Sequence, residues 1–287
     1  MSTFEEVRRQ YGEAFDAALA RNVVDALEED VGSGDHTGRL VPADARRTAR
    51  IIVREDAVLC GAQWFDEVMR CVDPSIEVEW KYRDGDRMTA DSVVVMLHGP
   101  ARSLLTAERN GLNFVQLLSG VATATRRYVD AIEGTRARIL DTRKTLPGLR
   151  LAQKYAVRVG GGANQRLALY DGILIKENHI AAAGGVGATM DAAIALNAGV
   201  TIQIEVETLE QLETALAHRA ESVLLDNFML DMMRDAVRIT AGRALLEVSG
   251  GVNFDTVRAI AETGVDRISI GALTKDVRAT DFSMRLI

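Results

Sequence analysis

The chain from residue 138 onward alternates short apolar runs with amphipathic segments, and this repeat constrains the fold more than any other feature. Six runs have the length and the Val, Ile and Leu content of buried strands: Arg138–Asp141, Gly172–Lys176, Thr201–Val206, Ser222–Asp226, Ala244–Val248 and Arg267–Ile270. Helical periodicity separates most of them, at Ala152–Val159, Met190–Asn197, Leu209–His218, Leu230–Thr240 and Phe254–Thr263. Repeated strand–helix units predict a parallel sheet covered by helices, closed as a barrel or open.

The first third of the chain has a different pattern. Apolar residues recur at helical spacing over residues 3–30, which predicts one helix that ends before Gly32 and Gly34. The next segments predict strands at Ala49–Val53, Ala57–Cys60, Ile76–Tyr82 and Ser92–Leu97, and helices at Gln63–Cys71, Ser103–Ser119 and Ala122–Glu133. This mixture indicates an α+β region with an antiparallel sheet.

The charge of the chain is unevenly distributed. With 34 Lys and Arg against 41 Asp and Glu, the net charge is −7. The isoelectric point near 5.3 argues against general nucleic-acid binding. Seven basic residues nevertheless lie between Arg143 and His179: Arg143, Lys144, Arg150, Lys154, Arg158, Arg166 and Lys176. A basic segment in an acidic chain favours an anionic ligand, although a solvated helix face explains Lys154 and Arg158 equally well.

Charged residues and glycines lie at the ends of the predicted strands. In chain order they are Asp141-Thr142-Arg143-Lys144, Lys176-Glu177-Asn178-His179, Glu205-Val206-Glu207, Asp226-Asn227, Ser249-Gly250-Gly251 and Gly271-Ala272. The ends of strands in such a repeat converge on one face, where active sites lie and where late glycine turns bind phosphate. Two acids, Glu205 and Asp226, are hard oxygen ligands that suit Mg²⁺. The alternation along the strand leaves open whether Glu205 or Glu207 faces the interior.

Several classes of protein are disfavoured by what the sequence lacks. The two cysteines, Cys60 and Cys71, have no CxxC spacing, which predicts buried reduced thiols rather than a disulfide or a metal site. The sequence has neither a His/Cys cluster that suits zinc nor a GxSxG motif. The start does not read as a signal peptide, and no uncharged apolar run approaches the ~18 residues of a membrane helix. We therefore expect a cytoplasmic protein with no membrane segment.

Nine motifs along the chain match one family in its order. They are EEDVGSGDHT (28–37), AERNGLNFVQLLSGVAT (107–123), DTRKTLPGLR (141–150), KYAVRVGGGANQR (154–166), LIKENH (174–179), EVETLEQL (205–212), LLDNF (224–228), EVSGGV (247–252) and ISIGALT (268–274). On these residues the chain resembles the quinolinate phosphoribosyltransferases, the carboxylating pyrophosphorylases of NAD synthesis. The resemblance implies phosphoribosyl transfer from phosphoribosyl pyrophosphate to quinolinate, with decarboxylation to nicotinate mononucleotide.

The same resemblance implies an architecture. An α/β sandwich would comprise residues 1–117 and the returning tail 276–287, and an incomplete, seven-stranded β/α barrel would comprise residues 118–275. The resemblance further implies a homodimer in which the first domain of one subunit closes the barrel mouth of the other. Arg109 would then reach quinolinate in trans, although by itself it reads as a surface residue.

The resemblance also assigns roles to residues that match the motifs. Arg143, Arg166 and Lys176 would contact the quinolinate carboxylates, and the substrate-binding set also includes Thr142, Gln165 and His179. Three residues would be catalytic and serve phosphoribosyl pyrophosphate and its Mg²⁺: Lys144, Glu205 and Asp226, of which the two acids would hold the metal. The 5-phosphate would bind at Ser249, Gly250, Gly251 and Gly271.

One departure from the family and two alternatives bear on the function. Many relatives have His where this chain has Gln165. Because Gln cannot carry charge, we interpret Gln165 as a neutral binding residue. A pyrophosphorylase acting on another acceptor, like the homologues found with molybdate transport genes, is disfavoured by LIKENH. A non-catalytic sensor of phosphoribosyl pyrophosphate is disfavoured because Glu205 and Asp226 are retained.

Overall fold

The computed structural model describes all 287 residues and separates into two compact units. The first, which we call the antiparallel unit, comprises Met1–Arg126, Thr145–Gly161 and Leu273–Ile287. The second, the parallel unit, comprises Arg127–Lys144 and Gly162–Ala272. None of the helices has the length and apolar character that a membrane crossing requires.

The chain forms eleven α-helices and twelve strands. The helices are α1 Thr3–Tyr11, α2 Glu13–Asp30, α3 Ala62–Val72, α4 Ala101–Ala131, α5 Arg150–Val159, α6 Glu177–Ala183, α7 Val186–Ala195, α8 Leu209–Ala217, α9 Leu230–Thr240, α10 Val257–Ala261 and α11 Ala272–Lys275. The strands are β1 Arg46–Val53, β2 Ala57–Val58, β3 Glu77–Trp80, β4 Arg87–Met88, β5 Val93–Pro100, β6 Arg138–Leu140, β7 Gly172–Ile175, β8 Thr201–Val206, β9 Ser222–Asp226, β10 Leu245–Ser249, β11 Arg267–Ser269 and β12 Phe282–Leu286.

The antiparallel unit is built on a four-stranded sheet in the order β12-β1-β5-β3. Ala49, Ile51 and Val53 alternate along β1 and are buried, so one face of the sheet packs inward. The core is rich in aromatic rings. Among them, the ring centroids of Trp64 and Tyr155 are 5.6 Å apart. The predicted antiparallel sheet in an α+β region is confirmed.

Two helix predictions in this unit were wrong, both because of glycine. The single helix predicted over residues 3–30 is interrupted at Gly12, whose φ of +56° favours glycine over other residues. The two helices predicted on either side of Gly120 form one helix, α4. A Cβ at Gly120 would collide with the carbonyl oxygen of Arg278, so this glycine allows close packing rather than ending the helix.

The two cysteines lie in different surroundings. Both are free thiols, as predicted. Cys60 is buried, and burial raises the pKa of its thiol well above the usual value. Cys71 is exposed, so its predicted burial was wrong: it lies next to Arg70 in the last turn of α3, on the solvent side of an amphipathic helix.

The parallel unit contains the six predicted strands and all but one of the predicted helices between them, which confirms the α/β class; the helix predicted at Ala152–Val159 (α5) belongs to the antiparallel unit. All six strands lie within one residue of their predicted bounds and form one parallel sheet in the order β6-β11-β10-β9-β8-β7. The sheet does not close into a ring, because β6 and β7 are its two edges. The resemblance implies seven strands, whereas this sheet has six; beyond β6, a single parallel bridge joins Leu140 to Ala163.

One helix crosses the predicted boundary between the two domains. The boundary between residues 117 and 118 falls inside α4, which runs unbroken from Ala101 to Ala131. The tail residues of β12 pair with β1 in the antiparallel unit. The division into residues 1–117 with 276–287 and residues 118–275 stays a prediction.

Candidate active site

A pocket of about 280 Å³ lies in the parallel unit. Ten of the residues predicted for the site line it: Thr142, Arg143, Lys144, Gln165, Arg166, Lys176, Glu205, Asp226, Ser249 and Gly250. Four further residues complete the lining: Leu174, Leu224, Glu247 and Ser269. The strand ends of one parallel sheet therefore bring distant charged residues together, as parallel topology requires.

The strand register explains which side chains face the pocket. Glu205 on β8 is opposite Leu224 on β9, which in turn is opposite Glu247 on β10. Two residues further along the same strands, Asp226 is opposite Ser249. Laterally paired residues point to the same side of a sheet, so these side chains share the pocket face. Glu205 lines the pocket and Glu207 does not, which answers the question that the sequence left open.

The cations of the pocket are held by specific contacts. Nζ of Lys176 lies 3.0 Å from Oε2 of Glu205, and Nη1 of Arg166 donates to the carbonyl oxygen of Gly172 at 2.7 Å. Burial and the nearby Arg143 lower the pKa of Arg166. Guanidinium groups that repel each other in a partly buried site favour an anion between them, because Arg binds carboxylate or phosphate with two parallel hydrogen bonds.

The backbone around the pocket depends on glycine at two places. Gly250 and Gly251 both have positive φ, +93° and +61°, so the turn after β10 favours residues without a Cβ. A Cβ at Gly271 would lie 3.1 Å from Cδ of Lys144, so glycine there leaves room for the lysine side chain. Next to it, the backbone N–H of Lys144 donates to Oγ1 of Thr142 at 3.1 Å.

Four predicted residues do not line the pocket. Arg109 is exposed on α4 and belongs to the antiparallel unit. His179 lies in the first turn of α6, where its Nδ1 accepts a hydrogen bond from the backbone N–H of Lys176 at 3.0 Å. Gly251 follows Gly250 and Gly271 lies beside Lys144, but neither glycine lines the pocket itself. The roles assigned to these four residues stay predictions.

A polar network at the pocket floor was missed from the sequence. Its centre is Glu247, which is fully buried and accepts hydrogen bonds from Gln165, Gln203 and Ser269. The sequence prediction included only residues at the strand ends and therefore not Glu247. The alternation of side chains along a strand could have identified it, because Glu247 lies two residues before Ser249 and therefore on the same face of β10.

The acidic residues of the pocket fit a metal shared with a substrate. The chain has no group of three or more His, Cys, Asp or Glu side chains that could hold a metal by themselves. Glu205 and Asp226 nevertheless both line the pocket and offer carboxylate oxygens. Mg²⁺ is commonly bound by one or two carboxylates together with substrate phosphates and water, so this donor set fits it.

Known proteins match the chain over nearly its whole length. The family model "Quinolinate phosphoribosyl transferase, N-terminal domain" matches residues 35–119, and "Quinolinate phosphoribosyl transferase, C-terminal domain" matches residues 121–285. The nicotinate-nucleotide pyrophosphorylase [carboxylating] of Mycobacterium leprae is 43% identical, over 95% of this chain and 98% of its own length. The probable nicotinate-nucleotide pyrophosphorylase [carboxylating] of Bacillus subtilis is 41% identical, over 89% of each chain.

Solved structures show the same similarity. The nicotinate-nucleotide pyrophosphorylase of Francisella tularensis superposes with a TM-score of 0.91 at 43% sequence identity, over 94% of this chain and 96% of that one. The human nicotinic acid phosphoribosyltransferase, at 15% identity and a TM-score of 0.65, shares the fold alone. The two family models together with the close relatives lead to one conclusion: this chain is a member of the quinolinate phosphoribosyl transferase family.

Proposed function

We propose that this protein transfers the phosphoribosyl group of phosphoribosyl pyrophosphate to quinolinate, with loss of CO₂ and pyrophosphate, to form nicotinate mononucleotide in NAD biosynthesis. The proposal is carried by one observation: Arg143, Arg166 and Lys176 line the same pocket as Glu205 and Asp226. Three cations suit the two carboxylates of the acceptor, and two acids suit a metal-bound donor. The names of the close relatives support the same reaction.

The acceptor site would use the cations for binding and orientation. Each hydrogen bond between a charged donor and a carboxylate contributes roughly 1.5–3 kcal/mol. Arg143 and Arg166 offer paired N–H groups to a carboxylate, and Lys176 supplies a compact charge. Holding both substrates in reacting geometry can lower the barrier by ~7–11 kcal/mol.

The donor site would use the opposite side of the strand series. Lys144 and Thr142 follow β6, while Ser249 ends β10 and Gly250 follows it, and all four line the pocket. Backbone N–H groups of the turn at Gly250 and Gly251, with room left by Gly271, suit the 5-phosphate. Lys144 would neutralise charge that develops on the departing pyrophosphate.

The reaction needs no general base at the acceptor. The ring nitrogen of quinolinate carries a lone pair and no proton, so it forms the bond to C1 of the sugar while the bond from C1 to pyrophosphate breaks. The carboxylates of Glu205 and Asp226 would stabilise positive charge on the sugar. The resulting pyridinium then accepts the electron pair of the bond that breaks when the 2-carboxylate leaves as CO₂, and a proton from solvent takes its place.

Glu205 and Asp226 would hold Mg²⁺. When bound, the ion would neutralise pyrophosphate oxygens and orient them. Chelation with EDTA should then abolish turnover and added Mg²⁺ should restore it, whereas turnover that persists after chelation would contradict the metal assignment.

The active unit would be a homodimer to which Arg109 contributes in trans. Its exposed position on α4 leaves the guanidinium accessible to another subunit. The cytoplasmic location expected from the sequence stays a prediction.

An acceptor comparison tests the proposal. Purified protein is mixed with Mg²⁺ and phosphoribosyl pyrophosphate, and pyrophosphate release is followed with quinolinate, with nicotinate and without acceptor. We expect release with quinolinate and little with nicotinate, because nicotinate lacks the second carboxylate. Pyrophosphate release only with a different acceptor would identify a related pyrophosphorylase that acts on that acceptor. Binding of phosphoribosyl pyrophosphate without turnover of any acceptor would indicate a non-catalytic sensor.

A further inference from the structure

Glu247 is an acidic residue at the floor of the pocket to which the proposed reaction gives no role. Its side chain is fully buried, and its donors are all neutral. Gln165 Nε2 lies 3.0 Å from Oε1 and 2.9 Å from Oε2, and Gln203 Nε2 lies 2.9 Å from Oε2. Ser269 Oγ also donates to Oε1.

The carboxylate of Glu247 fixes the orientation of the Gln165 amide. Nε2 of Gln165 faces both oxygens of Glu247 and also lies 3.0 Å from Oε1 of Gln203. An inverted amide would place its oxygen against the carboxylate, which is repulsive, so one orientation is favoured. The N–H groups of Gln165 are therefore directed to the pocket floor.

The other end of the same amide holds Arg166. Oε1 of Gln165 accepts a hydrogen bond from the backbone N–H of Arg166 at 2.7 Å. The guanidinium of Arg166 reaches the carbonyl oxygen of Gly172 at 2.7 Å. Glu247 is thus linked through one side chain to a cation that lines the pocket.

We propose that Glu247 is a positioning residue for the acceptor site: it orients Gln165, and through Gln165 it sets the position of Arg166 for the aromatic dicarboxylate. The identity of the substrate in this inference rests on the proposed function, whereas the contact between Glu247 and Gln165 is independent of it. It revises the interpretation of Gln165 as a binding residue, since the amide N–H groups serve the carboxylate below.

A second buried carboxylate makes the proposal testable without loss of the fold. Oδ1 of Asp141 accepts from the backbone N–H of Gln165 at 2.8 Å, and Oδ2 accepts from Nδ2 of Asn164 at 2.7 Å. The backbone of this segment is therefore anchored independently of Glu247. Glu247→Gln should leave the segment in place and disturb the amide orientation, because one N–H of the new amide would face another donor.

The first experiment compares the two Michaelis constants in Glu247→Gln. We expect the KM for quinolinate to rise about tenfold, the size of one lost hydrogen bond to a charged group, with the KM for phosphoribosyl pyrophosphate within about twofold. Glu221→Gln, which removes an exposed acid just before β9, is the matched control and should change neither constant. A folded Glu247→Gln variant with an unchanged KM for quinolinate, or with equal changes in both constants, overturns the proposal.

The second experiment measures a pKa, so it depends neither on enzyme activity nor on whether the single variant Glu247→Gln is stable. In Gln165→His, the introduced imidazole should lie against Glu247 and near Asp141. The other charged residues of this pocket are Arg143, Lys144, Arg166, Lys176, Glu205 and Asp226. Proton NMR titration of substrate-free protein, assigned by difference from the four native histidines, measures its pKa. We expect a value above the usual ~6.5 that falls when Glu247→Gln is added. If the imidazole pKa is not raised in the Gln165→His variant that retains Glu247, the contact between residue 165 and Glu247 is overturned. A wild-type protein that fails to turn over quinolinate overturns only the proposed function.

Discussion

Lys176 at the end of β7 and Glu205 at the end of β8 form an ion pair across the pocket, with 3.0 Å between Nζ and Oε2. Glu205 is largely buried, with 13% of its side chain exposed, while Lys176 is 47% exposed. One of these residues is assigned to the acceptor and the other to the donor and its metal. On this proposed assignment the two substrate sites would meet at this pair, and a change on either side should affect both.

Replacing Lys176 tests that coupling. Lys176→Met should raise the KM for quinolinate roughly 10- to 150-fold, the equivalent of ~1.5–3 kcal/mol for a charged hydrogen bond. Because the same change releases Glu205, the effects of Lys176→Met and Glu205→Gln on kcat/KM should not be additive. Steady-state kinetics of both single variants and the double variant measure this, with Lys81→Met as a control in the other unit. Additive effects would show that the pair does not couple the two sites.

Arg143 should be sensitive to geometry as well as charge. Arg143→Lys keeps the positive charge but loses the planar fork that binds a carboxylate with two hydrogen bonds. We expect the KM for quinolinate to rise about tenfold or more, with a smaller change in the KM for phosphoribosyl pyrophosphate. Isothermal titration with quinolinate checks whether the effect is on binding. Unchanged kinetics and binding would remove Arg143 from the acceptor site.

Subunit mixing tests the role of Arg109 in trans. Arg109→Ala and Lys144→Ala should each be nearly inactive. After subunit exchange, some mixed dimers would contain one site with neither substitution, so part of the activity should return. Mass spectrometry of differently tagged subunits confirms exchange. If exchange occurs and activity stays at the level of the separate variants, Arg109 does not act on the site of another subunit.

The stability of the antiparallel unit should depend on the protonation of Asp84. This carboxylate accepts hydrogen bonds from the backbone N–H groups of Gly61 and Ala62 and from the hydroxyl of Tyr155, and burial raises its pKa in spite of them. The folded state therefore binds the proton more tightly than the unfolded state. The stability that this provides is complete below the unfolded pKa of ~3.9 and is lost as pH rises through the raised folded pKa.

The variant Asp84→Asn removes this titration. The free energy of unfolding of the wild type, measured relative to Asp84→Asn, should fall as the pH rises above the unfolded pKa of ~3.9 and through the raised folded pKa. Urea unfolding followed by tryptophan fluorescence is suited to the measurement, because both tryptophans, Trp64 and Trp80, lie in the antiparallel unit. A relative stability that rises with pH over this range would contradict the raised pKa.

The sequence predicted the parallel sheet and most of the pocket for a physical reason. Buried parallel strands read as continuous apolar runs, so the ends of β8 and β9 were correct to the residue. Charges at strand ends, such as Lys176 after β7 and Asp226 at the end of β9, face the same crevice because the strands run in one direction.

What the sequence did not predict depends on tertiary contacts. Gly12 and Gly120 look alike in the chain, yet one interrupts a helix and the other lies within one, because a neighbouring backbone packs against Gly120. Glu247 lies inside a strand pattern, and only the neighbouring strands show that its donors come from Gln165, Gln203 and Ser269. Local patterns carry no information about such partners.

The most direct test of the account is the stoichiometry of products from quinolinate labelled with ¹⁴C at the 2-carboxylate. Labelled CO₂, nicotinate mononucleotide and pyrophosphate are counted in one reaction with purified protein, Mg²⁺ and phosphoribosyl pyrophosphate. Transfer to the ring nitrogen followed by decarboxylation predicts equal amounts of all three. Pyrophosphate formed without labelled CO₂, or label retained in the mononucleotide, would contradict the proposed reaction.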